Sequence, residues 1–343
     1  MDKTPQWLPQ APQNLPRTQQ VLAIIVDFQS TSEAAELSIQ LAHSGSAQNS
    51  NPGAKNSFQL KIIHLDNGNS PPVKLSQAQI EKGVELLSTG RNLGYAGALN
   101  FAVAHHKTST PENSNTAYWF LNSDLEIPSD CLPKLVGVLN SHPEVGAIGP
   151  IVRDSFRHEK VWGARGVVSP VLGTTAMTDW KQGGVLPKWS YLPGCSLLVR
   201  AAAYEEVGKL PENYKLYFEE TEFCIRMQRT QWKLWVDPTA DVYHKVHSMK
   251  GRIPARHFAY YFTRNNLVFW KTCFGIPVWL QFPRTLYVVF REVLLPLRRA
   301  KNWADVIDRL QYTWGGLVDG VLLAMSCRLR FERKLFPESP HGP

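Results

Sequence analysis

The segment Tyr118-Trp-Phe-Leu-Asn-Ser-Asp-Leu-Glu126 limits the folds open to this chain more than any other. Residues 118–121 form a short apolar run that predicts a buried strand, and that strand hands Asn122, Asp124 and Glu126 to its carboxyl end. In an open parallel sheet, ligands bind at that end. Unpaired carboxylates are costly to desolvate, so oxygen-bearing side chains gathered there call for a cationic or polar partner, such as a hard divalent metal bridging to a diphosphate. A turn over residues 122–124 that caps a helix opening near Ser129 competes with that reading on this segment alone.

Other segments repeat the pattern. Residues 21–26 (Val-Leu-Ala-Ile-Ile-Val) predict a central parallel strand ending in Asp27-Phe28-Gln29-Ser30, followed by a helix over 33–43 capped by Thr31 or Ser32. A second strand over 58–65 ends in Asp66-Asn67-Gly68-Asn69, which completes a βαβ unit whose strands finish in acidic and amide residues on one sheet edge. A third, 84–87, runs into Ser88-Thr-Gly-Arg-Asn-Leu-Gly-Tyr-Ala-Gly-Ala-Leu-Asn100. Gly90, Gly94 and Gly97 permit tight turns, and a helix beginning near Tyr95 would aim N–H groups at a ligand above, although the spacing is neither Gly-x-Gly-x-x-Gly nor a P-loop. Residues 45–57 and 107–116 are polar and read as surface insertions.

Past a helix over 133–141 and a strand over 145–148, residues 163–190 combine glycines with Trp180 and Trp189, with Trp162 just before, and read as a mobile region with exposed aromatic faces. Gly194 then turns into a strand, and Tyr217-Phe-Glu-Glu-Thr-Glu-Phe-Cys-Ile-Arg226 sets three carboxylates at a helix start. Capping and a Glu222 to Arg226 pair account for Glu222. Glu219 and Glu220 closely follow aromatic residues at an entrance to the core, where a carboxylate with a raised pKa can act as a general base. A strand over 232–236 is followed by His244, which is a candidate metal ligand only because an oxygen cluster is expected nearby.

The five cysteines are scattered and lack Cys-x-x-Cys spacing, so they indicate neither a disulfide framework nor a zinc site and fit a reducing, cytoplasmic setting. Residues 1–20, rich in Pro, Gln and Asn, read as a flexible arm without the apolar core of a signal peptide. The net charge of +8 is C-terminal: from Lys245 on there are 16 Lys and Arg against 6 Asp and Glu. Nucleic acid, an anionic membrane or phosphorylated ligands would each answer that surplus, and no nucleic-acid-binding motif accompanies it. Residues 274–334 mix Trp279, Phe282, Leu286, Tyr287 and Phe290 with Arg284, Arg291, Arg298 and Arg299, which predicts amphipathic helices. These would lie on the inner face of the cytoplasmic membrane, or pack on the core or on a second subunit as a homodimer.

Taken in order, the elements resemble the GT-A-fold glycosyltransferases of family 2, most closely the rhamnosyltransferase-like branch, over about residues 21–270. The likeness rests on Asp27-Phe28-Gln29, Leu65-Asp66-Asn67, Arg91-Asn92-Leu93-Gly94, Leu121-Asn122-Ser123-Asp124, Gly194, the helix start at 218–226, His244 and Tyr260-Tyr-Phe-Thr-Arg-Asn-Asn266. It implies an α/β, Rossmann-like, mixed but mainly parallel sheet flanked by helices, with a C-terminal helical extension. The organisation would be a flexible arm (1–20), a nucleotide-sugar-binding half (21–150), an acceptor-binding and catalytic half (151–270) and a helical region (271–343).

The implied activity is inverting, Mg2+- or Mn2+-dependent transfer of a sugar, rhamnose among the candidates, from a nucleoside-diphosphate donor to a glycan or lipid-linked acceptor in bacterial surface polysaccharide synthesis. On that resemblance Asp66 would accept from the nucleobase beside Phe28 and Gln29, Asn92 and Gly94 would shape the nucleotide floor, and Asp27, Asn67 and Arg91 would belong to the same site. Asn122 would meet the ribose or diphosphate, Asp124 the metal, and His244 would complete the metal or diphosphate site. Glu220 stands where the family has its aspartate base, with Glu219 as the alternative. Three departures from the family pattern are Asp27-Phe28-Gln29 in place of Asn-Tyr-Asn, Glu220 in place of Asp, and Asn at 122. A nucleotide-sugar-binding scaffold without turnover is the competing function.

Overall fold

The structure, a computed structural model, describes residues 16–49, 57–109, 115–171, 173–245, 255–291, 295 and 302–325. The first half contains β1 (Gln20–Asp27), α1 (Thr31–Asn49), β2 (Gln59–Asp66), α2 (Gln77–Glu81), β3 (Glu85–Ser88), α3 (Gly94–Ser109) and β4 (Thr116–Asn122). Then come β5 (Leu125–Glu126), α4 (Cys131–Ser141), β6 (Val145–Asp154), β7 (Arg157–Gly163), β8 (Arg165–Ser169), β9 (Thr174–Thr178), β10 (Gly184–Val185), β11 (Ser190–Tyr191) and β12 (Ser196–Arg200). The chain continues through α5 (Ala201–Val207), α6 (Glu219–Met227), β13 (Lys233–His244), α7 (Ala255–Phe274), α8 (Val278–Val289) and α9 (Trp303–Ala324).

The main sheet runs β10-β13-β6-β12-β4-β1-β2-β3, with β5 and β7 on its flanks. Strands β1 to β4 pair in parallel, β12 lies antiparallel between β4 and β6, and β13 returns parallel to β6. All of β1 is buried because helices cover both faces, which is why it reads as one apolar run. Its residues alternate between two cores: Leu22, Ile24 and Val26 face the side of α3, α6 and α7, while Val21, Ala23 and Ile25 face α1 and α4. The register aligns Asp27 with Asp66, Asp66 with Ser88, and Val26 with Asn122, so the polar strand ends share one edge.

Several sequence expectations need correction. Helix α1 extends to Asn49 and α3 to Ser109, so the start of each polar insertion is helical, and residues 50–56 and 110–114 lie outside the described residues. The arm joins the fold before residue 21: Thr18 is buried, its N–H donates to Asn140 Oδ1 at 2.7 Å, and Gln20 already pairs in β1. Residues 163–171 and 173–190, expected as a mobile region with exposed aromatic faces, contain a set of strands, including the antiparallel sheet β11-β8-β9, and Trp162 and Trp189 are exposed. The glycines there serve packing as well as turning; a Cβ on Gly166 would overlap the Tyr191 ring. Trp180 is half-buried, with the Arg165 guanidinium 4.7 Å over its ring. His244 closes strand β13, which outruns its predicted end across a register shift between Asp237 and Asp241.

Helices α7 and α9 pack closely because Gly316 and Gly320 leave room: a Cβ at Gly316 would lie 2.5 Å from the Tyr260 carbonyl, and one at Gly320 3.0 Å from that of Arg264. The outer faces are inverted. Helix α8 buries Gln281 and Thr285 with Val288 and Val289, yet exposes Trp279 (73%), Phe282, Leu286 and Phe290. Helix α9 buries Thr313, Gly316, Asp319 and Gly320 and exposes Trp303 (81%), Ile307, Leu310 and Trp314. No described helix is long and apolar enough to cross a membrane.

Candidate active site

At the strand edge the two aspartates turn inward. Asp27 is 0% exposed; its Oδ2 lies 2.9 Å from His64 Nε2, and its Oδ1 accepts from Ser30 N (3.0 Å) and Oγ (3.2 Å). The Gln79 amide Nε2 lies 3.0 Å from His64 Nδ1, which assigns the ring proton to Nε2. Burial would raise the Asp27 carboxyl, but the bonds from His64 and Ser30 outweigh it and hold the group below its usual value. Asp66 is also spent: Oδ1 accepts from Asn69 N and Nδ2, both at 2.8 Å, and Oδ2 from Ser88 Oγ (3.2 Å) and Val73 N (3.3 Å). Asn67 is turned onto the following loop, accepting from Leu93 N at 3.0 Å and donating to Asn92 Oδ1 at 3.3 Å. Asn92 Oδ1 accepts the Gly94 N–H (2.8 Å) and Lys215 O accepts the Tyr95 N–H (3.1 Å), so these two amides at the start of α3 are satisfied by protein. What remains open on this edge is Phe28, Gln29, Arg91 and Asn92, all exposed.

Asp124 and His244 come together. His244 Nε2 lies 3.1 Å from Asp124 Oδ1, and both residues are buried. Asp124 Oδ2 and His244 Nδ1 are buried without a hydrogen-bond partner among the described residues, and Trp162 meets the His244 ring edge-on at 5.5 Å. The hard carboxylate oxygen suits Mg2+ or Mn2+. Among the described residues no group of three or more His, Cys, Asp or Glu is arranged to hold a metal ion. Glu126, on the neighbouring strand, faces Lys245 at 3.6 Å.

A single turn connects this group to the carboxylates of α6. The Asn122 N–H donates to Cys195 O at 3.0 Å, and Tyr95 Oη donates to Gly194 O at 2.8 Å. A Cβ on Gly194 would lie 3.1 Å from Glu220 Cγ, so glycine is what lets Glu220 lie against the turn. Tyr95 is kept protonated by burial first, then by Cys195, Glu219, Glu220 and Asp124 around it. Burial, then the charge of Glu220, pushes the Glu219 carboxyl up to about 8; burial also raises Glu220, which is half-buried. Glu219 Oε2 has no partner among the described residues. Glu222 pairs with Arg226 at 3.3 Å, as its spacing predicts.

The approach to α6 is strained. Lys215 (φ +59°), Tyr217 (+67°) and Phe218 (+76°) are three of the five non-glycine residues with positive φ in the described structure. The Leu216 N–H donates to Tyr214 O at 2.7 Å, which makes Lys215 the centre of a γ-turn of the rare positive-φ kind. Each such residue stores roughly 1–3 kcal/mol, and positions of this sort cluster at working sites. Sequence reading missed the roles of His64, Tyr95, Asn265 and this turn. His64 left one signal, a polar residue inside an otherwise apolar strand end.

Residues 53–207 match the family model described as Glycosyl transferase family 2. The chain is 29% identical over 219 residues to the N-acetylglucosaminyl-diphospho-decaprenol L-rhamnosyltransferase of Mycobacterium tuberculosis, covering 58% of this chain and 71% of that one. It is 22% identical over 210 residues to the low-salt glycan biosynthesis hexosyltransferase Agl10 of Haloferax volcanii, covering 61% of this chain and 66% of that one. Among solved structures, S. aureus TarS 1–349 superposes with a TM-score of 0.50 at 12% identity, covering 88% of this chain and 81% of the other. With this sheet order and these relatives, the chain is a glycosyltransferase of GT-A fold, whose residues 53–207 match the family 2 model and whose sequence is similar to a rhamnosyltransferase.

Proposed function

We propose that this enzyme transfers a sugar, with inversion, from a nucleoside-diphosphate donor to a hydroxyl of a lipid-linked or other glycan acceptor in surface polysaccharide synthesis. The observation that carries the reading is the Gly194-Cys195 turn, which accepts the Asn122 N–H on one side and lies against Glu220 on the other, and so links the strand end before Asp124 to the carboxylate pair. The M. tuberculosis relative, named for a rhamnosyl donor and a decaprenol-diphosphate acceptor, favours rhamnose as the sugar and a polyprenyl diphosphate as the acceptor anchor.

Phe28 and Gln29 would line the nucleobase pocket, Arg91 and Asn92 its rim, and Asn122 would meet the ribose or diphosphate. Asp66 would exchange one of its two longer Oδ2 bonds for a base N–H, while Asp27, Asn67 and Gly94 act by holding the loops in register. Asp124 and His244 would hold Mg2+ or Mn2+, which when bound supplies positive charge to the leaving diphosphate. Glu220 takes the proton of the acceptor hydroxyl in one displacement, and Glu219 keeps its own proton, which leaves the pair with a single charge.

Thermal-shift screening of UDP-, GDP- and dTDP-sugars with Mn2+, followed by transfer to polyprenyl-diphosphate-linked N-acetylglucosamine, tests this. Stabilisation and product formation, both lost in Glu220→Gln, are expected. No stabilisation by any donor, or full activity in Glu220→Gln, overturns it.

The inverted faces of α8 and α9, with Lys271, Arg284 and Arg291 nearby, favour a position on the cytoplasmic face of an anionic membrane. Vesicles of phosphatidylglycerol should float the whole protein, and Trp279→Glu with Phe282→Glu should abolish flotation. Undiminished flotation in that variant, or a stable dimer with no flotation, counts against the membrane.

A further inference from the structure

We propose that Arg264 and Asn265, side by side on α7, are positioning residues for catalysis: they hold the strained loop of residues 213–218 in shape and so fix Glu219 and Glu220 against Gly194. The proposal rests on the transferase reading for its activity arm only.

Both residues are 0% exposed, in the middle of α7. Arg264 Nη2 donates to the carbonyls of Asn213 (2.8 Å) and Tyr214 (2.7 Å). Its Nε donates to Asn265 Oδ1 at 2.8 Å, which orients the amide so that Asn265 Nδ2 faces the carbonyls of Tyr214 (3.0 Å), Leu216 (2.6 Å) and Tyr217 (3.0 Å). The Lys215 carbonyl is the exception in this run. It points the other way and accepts the Tyr95 N–H at 3.1 Å.

A backbone that must turn one carbonyl toward α3 while its neighbours turn toward α7 cannot stay in the ordinary regions of φ and ψ. The positive φ values at Lys215 and Tyr217 are the geometric consequence. Nothing local to the loop would favour that conformation, because an L-residue there costs free energy that only the surroundings can offset. Arg264 suits the task because its planar guanidinium presents a rigid fork of donors. The loop ends at Phe218, whose carbonyl accepts the Glu222 N–H at 2.8 Å and opens α6, so the clamp controls where Glu219 and Glu220 start. Through Lys215 and Tyr95 it also reaches the hydroxyl that donates to Gly194 O.

Three readouts on the whole protein test this. In Asn265→Ala, amide exchange followed by mass spectrometry should speed up at least tenfold at residues 214–222 and at Tyr95. Release of nucleoside diphosphate from the best donor of the panel should fall at least thirtyfold in kcat, with less than a threefold change in donor KM. Adding Lys215→Gly to Asn265→Ala should restore kcat at least threefold, because glycine takes positive φ without the clamp; a pair that merely packs α7 would show no such rescue. Arg264→Lys, which keeps the charge and loses the fork, is the milder variant should Asn265→Ala fail to fold, and the same three changes are expected in it. Unchanged exchange at 214–222, kcat within threefold of the parent, or no rescue by Lys215→Gly overturns the proposal. If the parent turns over no donor, the transferase reading fails while the exchange arm still decides the clamp.

Discussion

Replacing Gly94 by Ala tests whether the loop that opens α3 and the turn that precedes α6 are interlocked, with Gly90→Ala as the control. Both glycines have positive φ, +76° at Gly94 and +71° at Gly90. At Gly90 a Cβ would meet nothing within 4 Å, so the substitution carries only the backbone penalty of about 1–2 kcal/mol, partly offset by the lower entropy of the unfolded alanine chain. At Gly94 the same Cβ would come within 2.8 Å of both Lys215 Cα and Lys215 O, backbone atoms pinned in the γ-turn and unable to rotate away. Overpacking of this kind adds about 1–3 kcal/mol, and weakening the Tyr95 to Lys215 hydrogen bond adds about 1 kcal/mol. The totals are then about 1 kcal/mol for Gly90→Ala and about 3–5 kcal/mol for Gly94→Ala. Unfolding entropy scales to about 0.7 kcal/mol/K for a chain of 343 residues, so Tm should drop by about 1–2 °C and about 4–7 °C respectively. Scanning calorimetry reads the first difference. Donor turnover reads the second, because a displaced Lys215 moves the start of α6; Gly94→Ala should lose activity well beyond Gly90→Ala. Equal shifts in Tm together with equal turnover would refute the interlock.

Glu219, raised from 4.5 to about 8 in the folded protein, contributes stability that is complete below the unfolded pKa and disappears as pH rises through about 8. Glu219→Gln should therefore be more stable than the parent at pH 9, with the gap closing toward pH 5, and its turnover should lack the parent's decline above about pH 8, as a pH series of melts and rates will reveal. His64→Leu should destabilise by about 3–5 kcal/mol in urea titrations, because it leaves the buried Asp27 carboxylate without its ring N–H and removes one of the two acceptors of the Gln79 amide Nε2. Asp27, held below its usual value, adds stability above its unfolded pKa that is lost as pH falls through the folded one, so wild type and His64→Leu should converge in acid. Asp124→Asn should abolish stabilisation by Mn2+ plus nucleoside diphosphate while leaving the melt without ligand within a few degrees; an unchanged Mn2+ response would remove Asp124 from the metal site.

The strand edge was legible because its signals are local. Apolar runs that stop at Asp27, Asp66 and Asn122 say both that a strand is buried and where it ends. What those side chains do is a tertiary matter. Asp66 looks like a nucleobase acceptor by position, yet Asn69, Val73 and Ser88 fill its oxygens, and only Asn69 is near in sequence. The clamp on Tyr214 comes from fifty residues away, and no periodicity marks a helix residue whose partners are loop carbonyls. Glycine was the other source of error: in residues 163–190 it read as mobility, whereas Gly166 is small because Tyr191 covers it.

Strand β12 follows β6 to β11 in sequence yet is inserted beside β4, hydrogen-bonded to the strand that carries Asn122. Chimaeras that exchange everything after about residue 150 with a related transferase would thus replace a central strand of the sheet that carries Asp27, Asp66 and Asn122. Grafts that leave the main sheet whole belong instead in the three-stranded β11-β8-β9 sheet and the outer helices.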